Sequence, residues 1–267
     1  RKKLFLDNIK YFILDESDEM LNMGFIEDVE EIMKASAKEK RVLLFSATMP
    51  DRIKSLAKKY LGEYSHLKTK TKNKIQLTKQ YYYEMKEKDK FEVLTRTIDT
   101  ADDNFYSLIF CKTKKDVDDI TNKLKDKNYP IQGLHGDMPQ SQREFILGKF
   151  RKRNIKILVA TDVAARGIDI NELTHIINYS VPDNINAYIH RIGRTGRAGK
   201  EGTAITFVTP SDFRRFNYIK QTSKDNIVKI EIPDVDSIIK SKKKHISDSI
   251  NKIESYGNIE NYKEWAT

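Results

Sequence analysis

The 267-residue sequence predicts an α/β protein: one partial N-terminal parallel-sheet domain, one complete C-terminal one, and a helical tail. Two observations carry this. Short apolar runs alternate with amphipathic stretches of helical length, and a polar, basic segment interrupts the alternation once. A third observation sets the order, because too few strands precede the interruption to make a whole doubly wound sheet.

The elements follow along the chain. Tyr11-Phe12-Ile13-Leu14 reads as a buried strand, with a helix over about residues 18–34 after it. Val42-Leu43-Leu44-Phe45 is the next strand, and Pro50 opens the following helix, where its missing N–H costs nothing. Residues 62–77 lack clean periodicity and read as a linker. The alternation restarts at Gln80-Tyr81-Tyr82-Tyr83, with further strands at 108–110, 131–134, 157–160, 175–178 and 204–207. Helix-length segments such as 114–127 and 140–151 lie between them, and 237–265 reads as helix with a break near Gly257. The chain thus divides into the back part of a first domain (1–62), a basic linker (63–78), a second domain (79–212) and a mainly helical extension (213–267).

Composition narrows the function classes. With 39% hydrophobic and 33% charged residues the chain reads as globular, and no apolar run approaches the roughly 20 residues needed to span a bilayer. Cys111 is the only cysteine, which excludes a disulfide framework and a cysteine-based zinc site, and fits a reducing cytoplasm. The formal charge is +10. Between Arg52 and Lys79 nine basic side chains face one acid, Glu63, and Lys149, Arg151, Lys152, Arg153 and Lys156 form a second cluster. Such patches suit a polyanion through counterion release, or simply a lysine-rich surface.

Four short runs carry chemistry. Asp15-Glu16-Ser17-Asp18 follows an apolar strand, at the strand end where α/β sheets collect ligands. Adjacent carboxylates there can orient a hydrated Mg²⁺ and polarise an attacking water, or merely favour a helix N-terminus. Ser46-Ala47-Thr48 places two hydroxyls after the second strand, as partners for acids or as helix caps. The run from Ala160 through Thr161, Asp162, Arg166, Gly167 and Asp169 to Ile170 is a third strand end, with Asp162 as an alternative N-cap. In His190-Arg191-Ile192-Gly193-Arg194-Thr195-Gly196-Arg197-Ala198-Gly199 three arginines interleave with three glycines. Guanidinium forks suit phosphate, and so many glycines suit a packed helix poorly.

Taken in order, these runs resemble the later motifs of DEAD-box RNA helicases. The segments Leu108-Ile109-Phe110-Cys111, Leu134-His135-Gly136-Asp137 and Gln140-Ser141-Gln142-Arg143 resemble the family's intermediate markers, and the likeness covers about residues 4–209. The run Asp18-Glu19-Met20-Leu21-Asn22-Met23-Gly24-Phe25 is similar to the bacterial cold-shock and ribosome-assembly branch.

The resemblance implies two RecA-like domains that close over ATP on one side and single-stranded RNA on the other. By it, Asp15 reaches Mg²⁺ through water and Glu16 is the general base. Asp18, Ser46 and Thr48 couple nucleotide state to closure. Gly167 and Asp169 lie at the nucleotide, with Asp169 on its ribose. Arg194 and Arg197 are arginine fingers, with His190 tied to the water network. Gly136, Gln140, Arg143 and Thr161 line the RNA backbone. The implied cofactors are ATP and Mg²⁺. The implied partners are single-stranded RNA and short RNA duplexes, with ribosomal or RNA-decay proteins beside them.

Two departures qualify the likeness. Ser17 stands where the family name implies alanine. No G-x-x-x-x-G-K-[ST] loop precedes the acidic run, and neither Gly148-Lys149 nor Gly199-Lys200 fits that pattern. The chain therefore reads as the back portion of a helicase, inactive alone as an ATPase. The competing readings are a non-enzymatic RNA-binding or partner-binding module built on the second domain, and a DNA-directed helicase of the same superfamily. For residues 213–267, dimerisation or docking competes with a solvated helix of mixed charge.

Overall fold

A computed structural model describes residues 5–22, 24–46, 48–68, 77–165, 170, 173–196, 199–223 and 226–255. It falls into two compact units, Arg1–Lys72 and Asn73–Thr267.

In the first unit β1 (Tyr11–Leu14) pairs in parallel with β2 (Arg41–Leu44). Between them run α1 (Ser17–Asn22) and α2 (Ile26–Ala35), and α3 (Asp51–Leu61) follows. Leu14, Val29, Met33 and Leu56 form the small core. The single helix expected over 18–34 is two, because Gly24 takes a φ of +80°, a left-handed turn that ends one helix and redirects the chain. α3 begins behind Pro50 as its sequence predicts, and Gly62 ends it with φ +63°.

The second unit is a seven-stranded parallel sheet of order β5-β6-β4-β7-β8-β3-β9. Its strands are β3 (Thr78–Glu84), β4 (Ser107–Cys111), β5 (Ile131–Leu134), β6 (Ile157–Thr161), β7 (His175–Asn178), β8 (Gly202–Val208) and β9 (Ile227–Lys229). The intervening helices are α4 (Lys90–Asp99), α5 (Lys114–Lys125), α6 (Gln140–Arg151), α7 (Asp162–Ala165), α8 (Ile185–Ile192), α9 (Phe213–Ser223) and α10 (Val235–Ser255).

Strand periodicity divides the core into two layers. Leu108, Phe110, Leu158 and Ala160 face one side, with Ile146 and Phe150 of α6, Tyr188 and Ile192 of α8, and Phe216 and Ile219 of α9. Ile109, Cys111, Ile157 and Val159 face the other, with Val93 and Leu94 of α4 and Val117 and Leu124 of α5. Strands buried on both faces read as continuous apolar runs, which is why they were visible in the sequence. A capping box between Thr113 and Asp116 starts α5.

The segment expected to be mainly helical carries α9 and α10, and it also adds a strand to the second unit. Phe216 and Ile219 of α9 are fully buried against the sheet, and β9 adds an edge strand beside β3. Three residues of Ile-Val-Lys are too short for a periodicity argument to find. The break expected near Gly257 lies outside the described residues. Among the described residues no helix is long and apolar enough to cross a membrane.

Candidate functional sites at the strand ends

In the first unit β1 stops at Leu14, and Asp15 and Glu16 are exposed in the turn that follows. Glu16 adopts φ +50°, a left-handed conformation that costs a non-glycine residue about 1 kcal/mol or more. The turn is held locally by Glu16 N–H donating to Asp15 Oδ1 at 2.8 Å.

Beyond it the chain is pinned to the end of β2. Ser17, 2% exposed, donates both its backbone N–H (3.1 Å) and its hydroxyl (3.0 Å) to the carbonyl of Phe45. Asp18 is equally buried, and its Oδ2 accepts from the backbone N–H of Thr48 at 2.8 Å and from the Thr48 hydroxyl at 2.7 Å. Asp18 N–H donates to Ser46 Oγ at 3.2 Å, and Ser46 Oγ donates to the Thr48 carbonyl at 2.6 Å. A buried carboxylate survives only with such partners. The three residues expected to act together are therefore one network.

In the second unit the arginine-glycine run leaves the end of α8. His190 lies on the helix and Arg194 in the turn after it, both half-buried. Gly167, Asp169 and Arg197 lie outside the described residues. Gly196 has φ +66°, and a Cβ there would sit 2.3 Å from Thr78 Oγ1. Its backbone comes close to β3 of the protein itself, so this glycine is required by packing. The start of β3 is bound to the same run. Gly202 N–H donates to the Leu77 carbonyl at 2.8 Å, Thr78 Oγ1 donates to the Thr195 carbonyl at 3.4 Å, and Lys79 pairs with Glu201.

Arg191 behaves unlike its neighbours. It is 3% exposed and forms a two-pronged ion pair with Asp162, Nε to Oδ1 at 2.6 Å and Nη2 to Oδ2 at 2.7 Å. Its Nη1 donates to Asn178 Oδ1 and to the Ser180 carbonyl, and its guanidinium lies over the Phe110 ring. Sequence reasoning gave it no role of its own. A signal existed in the helical phase: Tyr188, Arg191 and Ile192 share the inward face of α8, so an arginine there needs an acidic partner. Asp162 is that acid.

The four residues expected at RNA cluster in part. Gly136 is exposed in the turn after β5, with open space around it. Gln140 is exposed on the first turn of α6 and donates to Glu144. Arg143, one turn on, reaches the Ala164 carbonyl at 3.4 Å, while Thr161 Oγ1 accepts from Ala164 N–H. Arg143 and Thr161 thus meet at α7. The Arg143 Nε is buried without a hydrogen-bond partner among the described residues.

Each unit is a parallel α/β sheet, with acidic and hydroxyl groups at the strand ends of the first and an arginine-glycine run in the second, the pattern of RecA-like helicase domains. Residues 1–56 match the DEAD/DEAH box helicase family and residues 89–199 the helicase conserved C-terminal domain. The chain is 49% identical over 231 residues to a probable ATP-dependent RNA helicase of Methanocaldococcus jannaschii, covering 86% of this chain and 62% of that protein. It is 41% identical over all 267 residues to the DEAD-box ATP-dependent RNA helicase CshA of Bacillus cereus, covering 51% of that protein. Saccharomyces cerevisiae Dbp5 bound to RNA and ADP BeF3 superposes with a TM-score of 0.78 at 34% identity, over 90% of this chain and 64% of that one. A structure of the C-terminal domain of the DEAD-box protein Dbp5 is 35% identical, covers 64% of this chain and 99% of that one, and has a TM-score of 0.57. The chain belongs to the DEAD-box helicase family. It spans between half and two thirds of the length of the two relatives compared over their whole sequences.

Proposed function

We propose that these residues form the nucleotide-coupling and RNA-holding part of an ATP-dependent RNA helicase that locally unwinds or remodels RNA duplexes in the cytoplasm. The observation that carries this is the buried network of Asp18, Ser46 and Thr48 directly behind the exposed pair Asp15 and Glu16. It ties the loop that would meet the nucleotide to the loop after the neighbouring strand, so a shift in one is felt by the other.

The exposed carboxylates fit a hard cation, which takes oxygen ligands and keeps most of its waters. Among the described residues no three His, Cys, Asp or Glu side chains gather as a direct cage. Asp15 would hold Mg²⁺ through water, and the ion would neutralise phosphate charge and order the phosphates for in-line attack. Glu16 takes the proton of the attacking water. Arg194 and Arg197 supply positive charge for the phosphate oxygens, His190 holds the nearby water network, and Gly167 and Asp169 receive the nucleotide, Asp169 at the ribose. The yeast relative bound to RNA and ADP BeF3 supports a nucleotide and an RNA strand as the two ligands. Gly136, Gln140, Arg143 and Thr161 hold the strand by its backbone, which positions RNA without reading its sequence. The helicase's further partners would be ribosomal or RNA-decay proteins.

Because no phosphate loop occurs within the 267 residues, the chain by itself does not turn over ATP. An RNA-stimulated phosphate-release assay tests this. Turnover at background is expected, and robust turnover that Glu16→Gln abolishes would overturn it. A second reading is favoured by the completeness of the second unit, whose sheet is buried on both faces. In it the unit alone binds RNA weakly and in a salt-sensitive way. A salt titration of single-stranded RNA binding separates the two readings from a chain with no RNA affinity at all.

A further inference from the structure

All strands of the second unit are parallel, so their C-terminal ends lie on one edge of the sheet. In spatial order β5, β6, β4, β7 and β8, that edge carries Gly136, Thr161, Lys112, Asp183 and Ser211. Neighbouring strands stand about 4.8 Å apart, so the β8 end is roughly 19 Å from the β5 end. The first two positions belong to the proposed RNA path. At the other end is a cavity of about 600 Å³ lined by Lys112, Ser211, Asp212, Arg214, Arg215 and Tyr218.

Its charges are arranged, not merely abundant. Arg215 is fixed by Asp212 at 2.5 Å and by Asp183 at 3.2 Å, and Lys112 stands 3.9 Å from the same Asp183. Both acids are thereby occupied. Arg214 is exposed and has no hydrogen bond or ion pair among the described residues. Tyr218, 62% exposed, sits four residues on, one turn along the same face of α9. A free guanidinium one turn from an exposed ring offers a fork for a phosphate and a platform for a base.

We infer that this pocket takes a phosphate and a stacked base of the same single-stranded RNA that lies on Gly136, Gln140, Arg143 and Thr161. The inference rests on the proposed RNA reading and lengthens the footprint to the far end of the sheet edge. Stacking on Tyr218 accepts any base, so the pocket adds affinity without sequence preference.

Fluorescein-labelled oligouridines of about four and about twelve nucleotides, titrated against the whole chain, test it; both fall within the usual range of single-strand site sizes. Arg214→Ala should weaken the longer strand about three- to tenfold and lower its salt slope by about one, leaving the shorter strand unchanged. Tyr218→Ala should weaken the longer strand by a similar factor with an unchanged salt slope, and Tyr218→Phe should restore it. Both side chains are exposed, so circular dichroism should match the parent. If neither variant alters the longer strand while Arg143→Ala weakens it, the pocket lies off the path and the inference fails alone. If Arg143→Ala also has no effect, the RNA reading fails with it. Loss from Arg214→Ala that is equal for both lengths overturns the separate position. Loss of oligoglutamate binding in Arg214→Ala, with RNA binding unchanged, assigns the pocket to an acidic protein segment and overturns the inference.

Discussion

The two units use the same α/β grammar and hold themselves together differently. The second buries both faces of a seven-stranded sheet, and its largest side chains, such as Tyr188, Phe150 and Phe207, are fully enclosed. The first has two strands, and Tyr11 and Ile13 on one face of β1 are 60% and 58% exposed. Two strands offer little apolar area to enclose. What orders its strand ends is polar: the hydroxyls and carboxylate of Ser17, Asp18, Ser46 and Thr48. Both units fix their strand-end motifs by hydrogen bonds, but only in the second does a sheet buried on both faces stand behind them. The two should fail under different stresses.

The sharpest way to break the comparison is to put a polar fault into the well-packed unit. Arg191→Ala leaves Asp162 without its two-pronged partner and Asn178 without its donor. Removing one partner of a fully buried pair costs about 3–5 kcal/mol, and because the Asp162 side chain is 35% exposed the loss here should lie at or below the lower end of that range. Denaturant unfolding should show that loss in the second unit only, with Arg191→Lys recovering part of it because an ammonium cannot reproduce the fork.

Acid is the next stress. Burial pushes the His175 imidazole down to about 4, against a small opposing pull from Asp102. Between that value and its ordinary value near 6.5 the unfolded chain binds the extra proton, so stability falls as pH falls. The loss through this window should reach up to about 3 kcal/mol in the second unit, and His175→Gln should flatten the pH dependence of its melting.

The smallest effect sharpens the contrast within the first unit. Thr48→Val removes a hydroxyl that donates to a buried carboxylate and should cost about 1.5–3 kcal/mol, whereas Ser17→Ala removes one neutral bond and should cost about 1 kcal/mol. Amide exchange at Asp18 and Thr48 reads both. Equal losses would mean that the Asp18 charge is not what organises the loop.

Much of this architecture was legible beforehand, for a physical reason. A strand buried on both faces must be apolar throughout, so 108–110 and 157–160 announced themselves, and 140–151 matches α6 to the residue. β9 did not, because three residues carry no period, and neither did the break at Gly24, since the apolar spacing runs through it. At the sites, residue chemistry left the hydroxyls of Ser46 and Thr48 as partners for acids or as helix caps, and the structure pairs Thr48 with Asp18. Arg191 and Asp162 were each seen, but which arginine turns inward depends on helical phase, and which acid meets it depends on where β6 and α8 come together. The pocket at α9 was invisible because Lys112 and Arg214 are brought together only by strand order.

The knot between β3 and the arginine turn has a mechanical reading. Leu77, Thr78 and Lys79, the first described residues of the second unit, grip Gly202, Thr195 and Glu201, and Gly196 leaves no slack against Thr78. The incoming chain and the arginine turn therefore share one anchorage. Thr78 and Gly202 are also paired in the sheet, so tension drawn through Leu77 loads the turn that carries Arg194 and the β3–β8 ladder together.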